Sequence, residues 1–147
     1  MESSKNFARS ASKTNFVRFQ STLKPVRTEL APPPAASYSQ AMKVNNLIYV
    51  SGQIPLTKEN KPVEGDIKVK AEQVIGNINE ILKASNSSLN HIVKVNIFLT
   101  DINNFADFNS VYAKYFNVHK PARSCVAVKS LPLNMDLEVE VVAVEKN

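Results

Sequence analysis

Cysteine occurs once in this 147-residue sequence, at Cys125, so no intrachain disulfide can form and a multi-cysteine zinc site is excluded. The two histidines, His91 and His119, are far apart and lack metal-ligand spacing, so no metal centre is expected. Only three glycines are present, and none belongs to a phosphate-cradling loop or a dinucleotide-binding fingerprint. Catalytic-triad spacing is missing too. No apolar run approaches the roughly 18 residues that would span a bilayer. Chemistry in this chain therefore rests on arginine, carboxylates, hydroxyls and amides.

What is present is ordinary for one globular domain. Hydrophobic residues make up 44% of the chain, and a body of this size buries a core without staples. The net charge of +5 is unevenly spread. Residues 1–21 carry four of the 18 basic side chains and one of the 13 acidic ones, a net of +3, which leaves +2 for residues 22–147. The body has no Lys/Arg block of the kind that follows a phosphate backbone, which argues against nucleic acid as its partner.

The first 21 residues are basic, hydroxylated and poor in acid, with Phe7, Phe16, Val17 and Phe19 scattered among them. That composition is expected of a mitochondrial transit peptide, with the folded domain occupying residues 22–147. The Pro32-Pro33-Pro34 run is read as an extended lead-in, because proline removes donors and fixes φ.

Within the body, Met42 to Ser51 predicts two short strands around a turn at Asn45-Asn46. Gly52 follows where backbone is expected to pass close to another group. From Asp66, an expected N-cap, the apolar residues Ala71, Val74, Ile75, Ile78, Ile81 and Leu82 fall at helical steps. Gly76 inside that helix is taken as a point of close packing. Residues 91–99 predict a strand with Val93, Val95, Ile97 and Leu99 on one side. A second helix follows, with Phe105, Phe108, Val111, Tyr112 and Tyr115 on one face. Pro121 then precedes a strand at Arg123–Val128, and Asp136–Val144 alternates as a last strand. The order β-β-α-β-α-β-β predicts an α/β (α+β) domain, a mixed sheet with two helices on one face. The other face is partly apolar through Ile92, Phe98, Val142 and Val144, which argues for self-association.

Arg123 stands at a strand start behind a proline-fixed turn. Its planar fork suits bidentate carboxylate binding, and a solvent-facing strand-end arginine fits the same position. Cys125 points to the same side, with no activating base identified, and fits a structural thiol. Glu138 and Glu140 share one face of a hydrophobic strand; buried beside a cleft, either would position a water. Tyr38, Ser51, Asn109 and Tyr112 fit polar cleft positions and structural ones equally well.

Read together, Tyr38-Ser39-Gln40-Ala41, Ser51-Gly52-Gln53-Ile54-Pro55, Pro121-Ala122-Arg123-Ser124-Cys125-Val126 and Leu137-Glu138-Val139-Glu140-Val141-Val142-Ala143-Val144 resemble the reactive intermediate deaminase family, also called YjgF/YER057c/UK114, and most of all its fungal mitochondrial branch. The similarity covers roughly residues 24–147. It implies a chorismate-mutase-like fold and a homotrimer whose sheets form a central barrel, with clefts between adjacent subunits. It further implies hydrolysis of 2-iminobutanoate and 2-iminopropanoate to 2-oxo acids and ammonia in the mitochondrial matrix, protecting isoleucine biosynthesis. No cofactor, metal or membrane is implied. By the same resemblance Arg123 holds the substrate carboxylate and Glu138 orients or activates water, while Tyr38, Ser51, Asn109 and the backbone at Cys125 complete the pocket. Many members carry Gly-Pro where this chain has Ala36-Ser37, which bears on substrate preference. A second reading is a non-catalytic 2-oxo-acid-binding regulator of mitochondrial metabolism and genome maintenance.

Overall fold

The structure, a computed structural model, describes residues 22–147, so the expected leader lies outside the described residues. Eight elements build the domain: β1 (Leu23–Val26), β2 (Ala41–Val44), β3 (Leu47–Gln53), α1 (Ile67–Ala84), β4 (Ile92–Leu99), α2 (Phe105–Tyr115), β5 (Ala122–Ala127) and β6 (Leu137–Val144). The strands form one six-stranded sheet in the order β1-β2-β3-β6-β4-β5. Only β5 runs parallel to its neighbour, β4; every other pairing is antiparallel. This is the mixed sheet expected from the sequence, with both helices on one face and one strand more.

That extra strand is β1, for which the sequence reading predicted no element; it precedes the proline-rich lead-in. Pro25 sits within it opposite Met42. An edge position explains how proline is tolerated, since its missing N–H is not needed on the open side.

Local chemistry sets the other elements. Asn45 adopts a left-handed φ of 54° at the β2–β3 turn, a conformation that asparagine tolerates better than most residues. The carboxylate of Asp66 accepts from the backbone N–H groups of Lys68 and Val69 at 3.0 and 3.1 Å, capping α1 as its sequence position suggested. The helix ends at Ser85, and Asn86 takes a left-handed φ of 57°. Ile81 and Leu82 on α1 and Phe108 on α2 are fully buried against Val139, Val141 and Leu137 of β6 and Val95, Ile97 and Leu99 of β4. Truncating Ile81 to alanine would cost about 2–5 kcal/mol through lost burial and the cavity left behind.

Three sequence expectations need correction. Val93 is 48% exposed, whereas Ile92 is buried, the reverse of the alternation expected for this strand. The β4–β6 register shifts between Ile92 and Lys94, and one extra residue there exchanges inward and outward positions. Gly76 lies on the solvent side of α1 with open space where a β-carbon would sit, so it marks no close packing. Tyr115 faces outward, its hydroxyl bonded to Glu72 on α1.

The sheet face away from the helices has no covering element among the described residues. Tyr49 and Val126 are each 47% exposed there, beside half-buried Phe98, Val142 and Val144. β5 is the barest part of the sheet: an edge strand in which only Cys125 is even half-buried. An exposed edge of this kind is a pairing surface unless something covers it.

Candidate functional site

The residues singled out by sequence fall into two groups on opposite faces of the sheet. The first gathers around Glu138. Near the start of β6 this residue lies opposite Phe98, on the uncovered face. A cleft of about 380 Å³ opens beside it, lined by Tyr38, Ser51, Gly52 and Glu138, with Pro32 and Leu133 among its apolar walls. Gly52 makes the close approach that its position suggested, and the group it approaches is Glu138. A β-carbon at position 52 would lie 2.8 Å from Cδ of Glu138 and closer still to Oε1. Burial, and after it the neighbouring charge of Glu140, pushes the Glu138 carboxyl above the ordinary glutamate range. Glu140 itself accepts from Asn96 Nδ2 at 2.9 Å, which occupies it on the sheet face rather than in the cleft.

Buried amides hold the cleft walls. Gln40 is buried and donates to the carbonyls of Thr28 (3.1 Å), Ala31 (3.3 Å) and Pro32 (2.9 Å), while its Oε1 accepts from Thr28 N at 2.7 Å. One side chain thereby fixes the proline-rich wall. Asn77, buried on α1, donates to the Leu56 carbonyl at 2.9 Å and holds the loop after β3. Ser51 Oγ donates to the Ser39 carbonyl at 2.6 Å, leaving its lone pairs to face the cleft. The Tyr38 hydroxyl accepts from Ala35 N at 3.3 Å and keeps its own proton available.

The second group surrounds Arg123. On β5 this residue lies opposite Val95, a buried position, and so faces the helix side of the sheet. Its Nη1 donates to Asn109 Oδ1 at 2.6 Å, and its guanidinium carbon sits 4.8 Å from the ring centre of Tyr112 and 5.5 Å from that of Phe105. Stacking of this kind contributes about 0.5–2 kcal/mol and fixes the plane of the fork. Asn109, Tyr112, Lys120 and Pro121 line the shallow recess in front of it. Cys125 follows on the same side, half-buried; burial raises its thiol pKa, partly offset by the Arg123 charge. A thiol held protonated in this way is a poor nucleophile.

The structure therefore joins Tyr38, Ser51 and Glu138, joins Arg123, Asn109 and Cys125, and does not join the two sets. Arg123 is two strands from Glu138 and three residues further along, which puts their α-carbons roughly 14 Å apart by standard sheet spacings. Their side chains leave from opposite faces. The sequence reading missed Gln40 as the organiser of a wall, since a glutamine between Ser39 and Ala41 carries no local mark of burial. It also missed Leu133, which no local pattern marks. Among the described residues no cluster of metal-ligating side chains occurs, and no helix is long and apolar enough to cross a membrane.

A family model described as Endoribonuclease L-PSP matches residues 28–145, which is most of the domain. The chain belongs to this family. It is the one whose members are also called reactive intermediate deaminases, as the motifs around Tyr38, Arg123 and Glu138 suggested. Protein MMF1, mitochondrial, from Saccharomyces cerevisiae is 71% identical over 126 residues, covering 86% of this chain and 87% of that one. Its crystal structure superposes with a TM-score of 0.84 over 85% of this chain and all of the solved one. Reactive Intermediate Deaminase A, chloroplastic, from Arabidopsis thaliana is 44% identical over 80% of this chain and 64% of its own length. The structure of E. coli TdcF with bound serine, 34% identical, gives a TM-score of 0.79 over 84% of this chain and 99% of that one. The expected chorismate-mutase-like fold is thus the fold of the chain.

Proposed function

We propose that the chain is an imine hydrolase that converts 2-imino acids such as 2-iminobutanoate and 2-iminopropanoate to 2-oxo acids and ammonia. The observation that carries this reading is the division of the site: a guanidinium fork held by Asn109 and Tyr112 on an edge strand, and a half-buried glutamate in a cleft on the opposite face. Neither half suffices, and a second copy docked along β5 would bring the Arg123 of one subunit to the Glu138 of another. A closed ring is the expected assembly, a homotrimer with three such clefts and the uncovered sheet faces turned inward as a central barrel.

In that arrangement the Arg123 fork takes the substrate carboxylate through paired N–H donors, and Asn109 and Tyr112 keep the fork from swinging. Glu138 accepts a proton from a water as its oxygen attacks the imine carbon. The C=N π pair moves to nitrogen, which gives a tetrahedral amino alcohol. The proton held by Glu138 then passes to the amine, the C–N bond breaks, and ammonia leaves as the hydroxyl proton returns to Glu138 and the hydroxyl oxygen forms the C=O of the 2-oxo acid. Ser51 and Tyr38 present polar atoms toward the reacting centre. The protonated imine is already electrophilic, so placement and a tuned base suffice.

The similarity to a relative named Reactive Intermediate Deaminase A supports this reading. A second reading, a binding protein for 2-oxo or amino acids without turnover, draws on the serine bound in E. coli TdcF. An assay in which threonine dehydratase generates the imine and semicarbazide traps it separates the two. Faster loss of trappable imine supports hydrolysis, and an unchanged rate with measurable 2-oxo-acid binding supports the second reading. The near-neutral charge of residues 22–147 gives an RNA substrate little support, despite the description of the family model.

Residues 1–21 are proposed to deliver the domain to the mitochondrial matrix, where amino-acid synthesis, isoleucine formation included, would be protected from these imines. Two fungal relatives named as mitochondrial support this. A reporter fused to these residues is expected in the matrix, and its retention in the cytosol contradicts the assignment.

A further inference from the structure

The sheet face turned away from the helices carries few charges. By register, Lys24, Lys43 and Arg123 alternate to the helix side with Val26, Ile48 and Val95. Lys94, opposite Val142, is then the single cation that the strands place on the open face. The acids on that face are Glu138, which belongs to the cleft, and Glu140.

Lys94 and Glu140 each have a neutral partner in their own chain. The Lys94 ammonium donates to Ser124 Oγ on β5 at 2.9 Å, and Glu140 Oε1 accepts from Asn96 Nδ2 at 2.9 Å. The two charges stand diagonally on β4 and β6, within reach of a long side chain. The ammonium nevertheless turns the other way, toward the β5 edge. Glu140 borders a concavity of the face together with Met42, Tyr49, Asn96 and Val142. Glu140 Oε2 and Asn96 Oδ1 are acceptors and Tyr49 adds an aromatic ring, so this concavity suits an ammonium group.

A face that stays wet tolerates such charges singly. A face closed by copies of itself does not, because a charge taken out of water needs an opposite charge and hydrogen bonds. The spacing supplies the match. Lys94 lies opposite Ala122, so its α-carbon is roughly 6 Å from that of Arg123 by standard sheet spacings. Glu138 and Glu140 are two positions apart on β6, about 7 Å. When the β5 edge of one copy brings Arg123 to the Glu138 of the next, Lys94 arrives one step away, beside Glu140.

We infer that Lys94 of one copy enters the concavity of the next and pairs with its Glu140, and that this pair sets the register at which the ring closes. The inference rests on the ring assembly proposed above and not on the chemistry in the cleft. Charge pairs of this kind fix register and partner choice more than they raise net affinity.

The test follows assembly of the full chain by native mass spectrometry and light scattering over a dilution series, with circular dichroism to confirm folding. K94E and E140K should each dissociate at concentrations at least about tenfold above wild type, since each sets like charges together in every contact. E140Q keeps an acceptor in the concavity and should still form rings, with a smaller shift. The double variant K94E/E140K should restore assembly. Mixing separately made K94E and E140K subunits distinguishes a bond between copies from one within a copy. A ring of two subunits of one kind and one of the other pairs opposite charges at two of its three contacts, so mixed trimers should form where neither variant alone assembles. Absence of mixed trimers while the double variant assembles puts the pair inside one chain and overturns the inference. Rings of K94E and E140K as durable as those of wild type overturn it and leave the trimer standing, whereas a monomeric wild type overturns both. Where a charge reversal unfolds the subunit, K94M and E140Q replace it: their effects on the dissociation midpoint should not add, and additive effects overturn the inference.

Discussion

A β-carbon on Gly52 would lie 2.8 Å from the carboxyl carbon of Glu138, so the position of the glutamate depends on the missing side chain of its neighbour strand. Backbone at Gly52 is not in the left-handed region, so alanine there is disfavoured by this contact alone. The obstructing atoms belong to the far end of a flexible side chain, which would swing away. Gly52→Ala is therefore expected to keep Tm close to wild type and to lower kcat roughly 100-fold, the scale of removing a positioned base. In a double-mutant cycle with Glu138→Gln the two losses should not add, because one change already displaces the group the other removes. Additive losses would separate Gly52 from Glu138.

Asn109 and Tyr112 hold the Arg123 fork by different means, one by a 2.6 Å hydrogen bond and the other by ring stacking at 4.8 Å. Asn109→Ala should raise KM about tenfold with a smaller change in kcat, since it loosens ground-state carboxylate binding. Tyr112→Phe keeps the ring and should leave KM near wild type, whereas Tyr112→Leu should raise it. Arg123→Lys replaces a bidentate fork with a point charge and should recover little of the affinity lost in Arg123→Ala. Ligand titration checks all five variants, and a fully functional lysine variant would count against the clamp.

Glu138 gives a pH signature. Burial and then the Glu140 charge raise its pKa above that of an ordinary glutamate. As a base it works ionised, so activity should fall on acidification through this raised value, at higher pH than an unperturbed carboxylate would allow. Glu140→Gln removes the like charge and should move that acid limb to lower pH. Stability runs the opposite way. A carboxyl with its folded pKa raised contributes stability that is fully present below its unfolded pKa, about 4.3, and is lost as pH rises through the folded value. Glu138→Gln should therefore raise Tm at neutral pH while abolishing turnover, and the gain should shrink in acid. A lower Tm at neutral pH would show that the charge is stabilised by a partner.

Much of this frame can be read locally, and the rest cannot for a physical reason. The Asp66 cap, the Asn45 turn and the alternation of Leu137, Val139, Val141 and Ala143 depend on residues a few positions apart, so the sequence displays them. Ile92 and Val93 exchanged places because a bulge is a property of two paired strands. Gly52 announces a close approach, but its partner is 86 positions away in the sequence. The wall held by Gln40 and the place of Leu133 in the cleft arise from loops that only the folded sheet brings together. Motif resemblance supplied Arg123 and Glu138 as a pair. The sheet then places them on opposite faces, which a linear reading has no means to show.

The central claim is that Arg123 and Glu138 act on one substrate from two copies of the chain. It is tested by mixing Arg123→Ala and Glu138→Gln subunits, each inactive alone, through co-expression or joint refolding. In a randomly assembled ring, a site works when the subunit giving arginine is the Glu138→Gln variant and its neighbour giving glutamate is the Arg123→Ala variant. Equal amounts should therefore recover about a quarter of wild-type activity, since each of those two conditions holds for half the subunits of a cyclic assembly. Mixed assemblies, verified by native mass spectrometry, that stay as inactive as the separate variants would contradict the shared site.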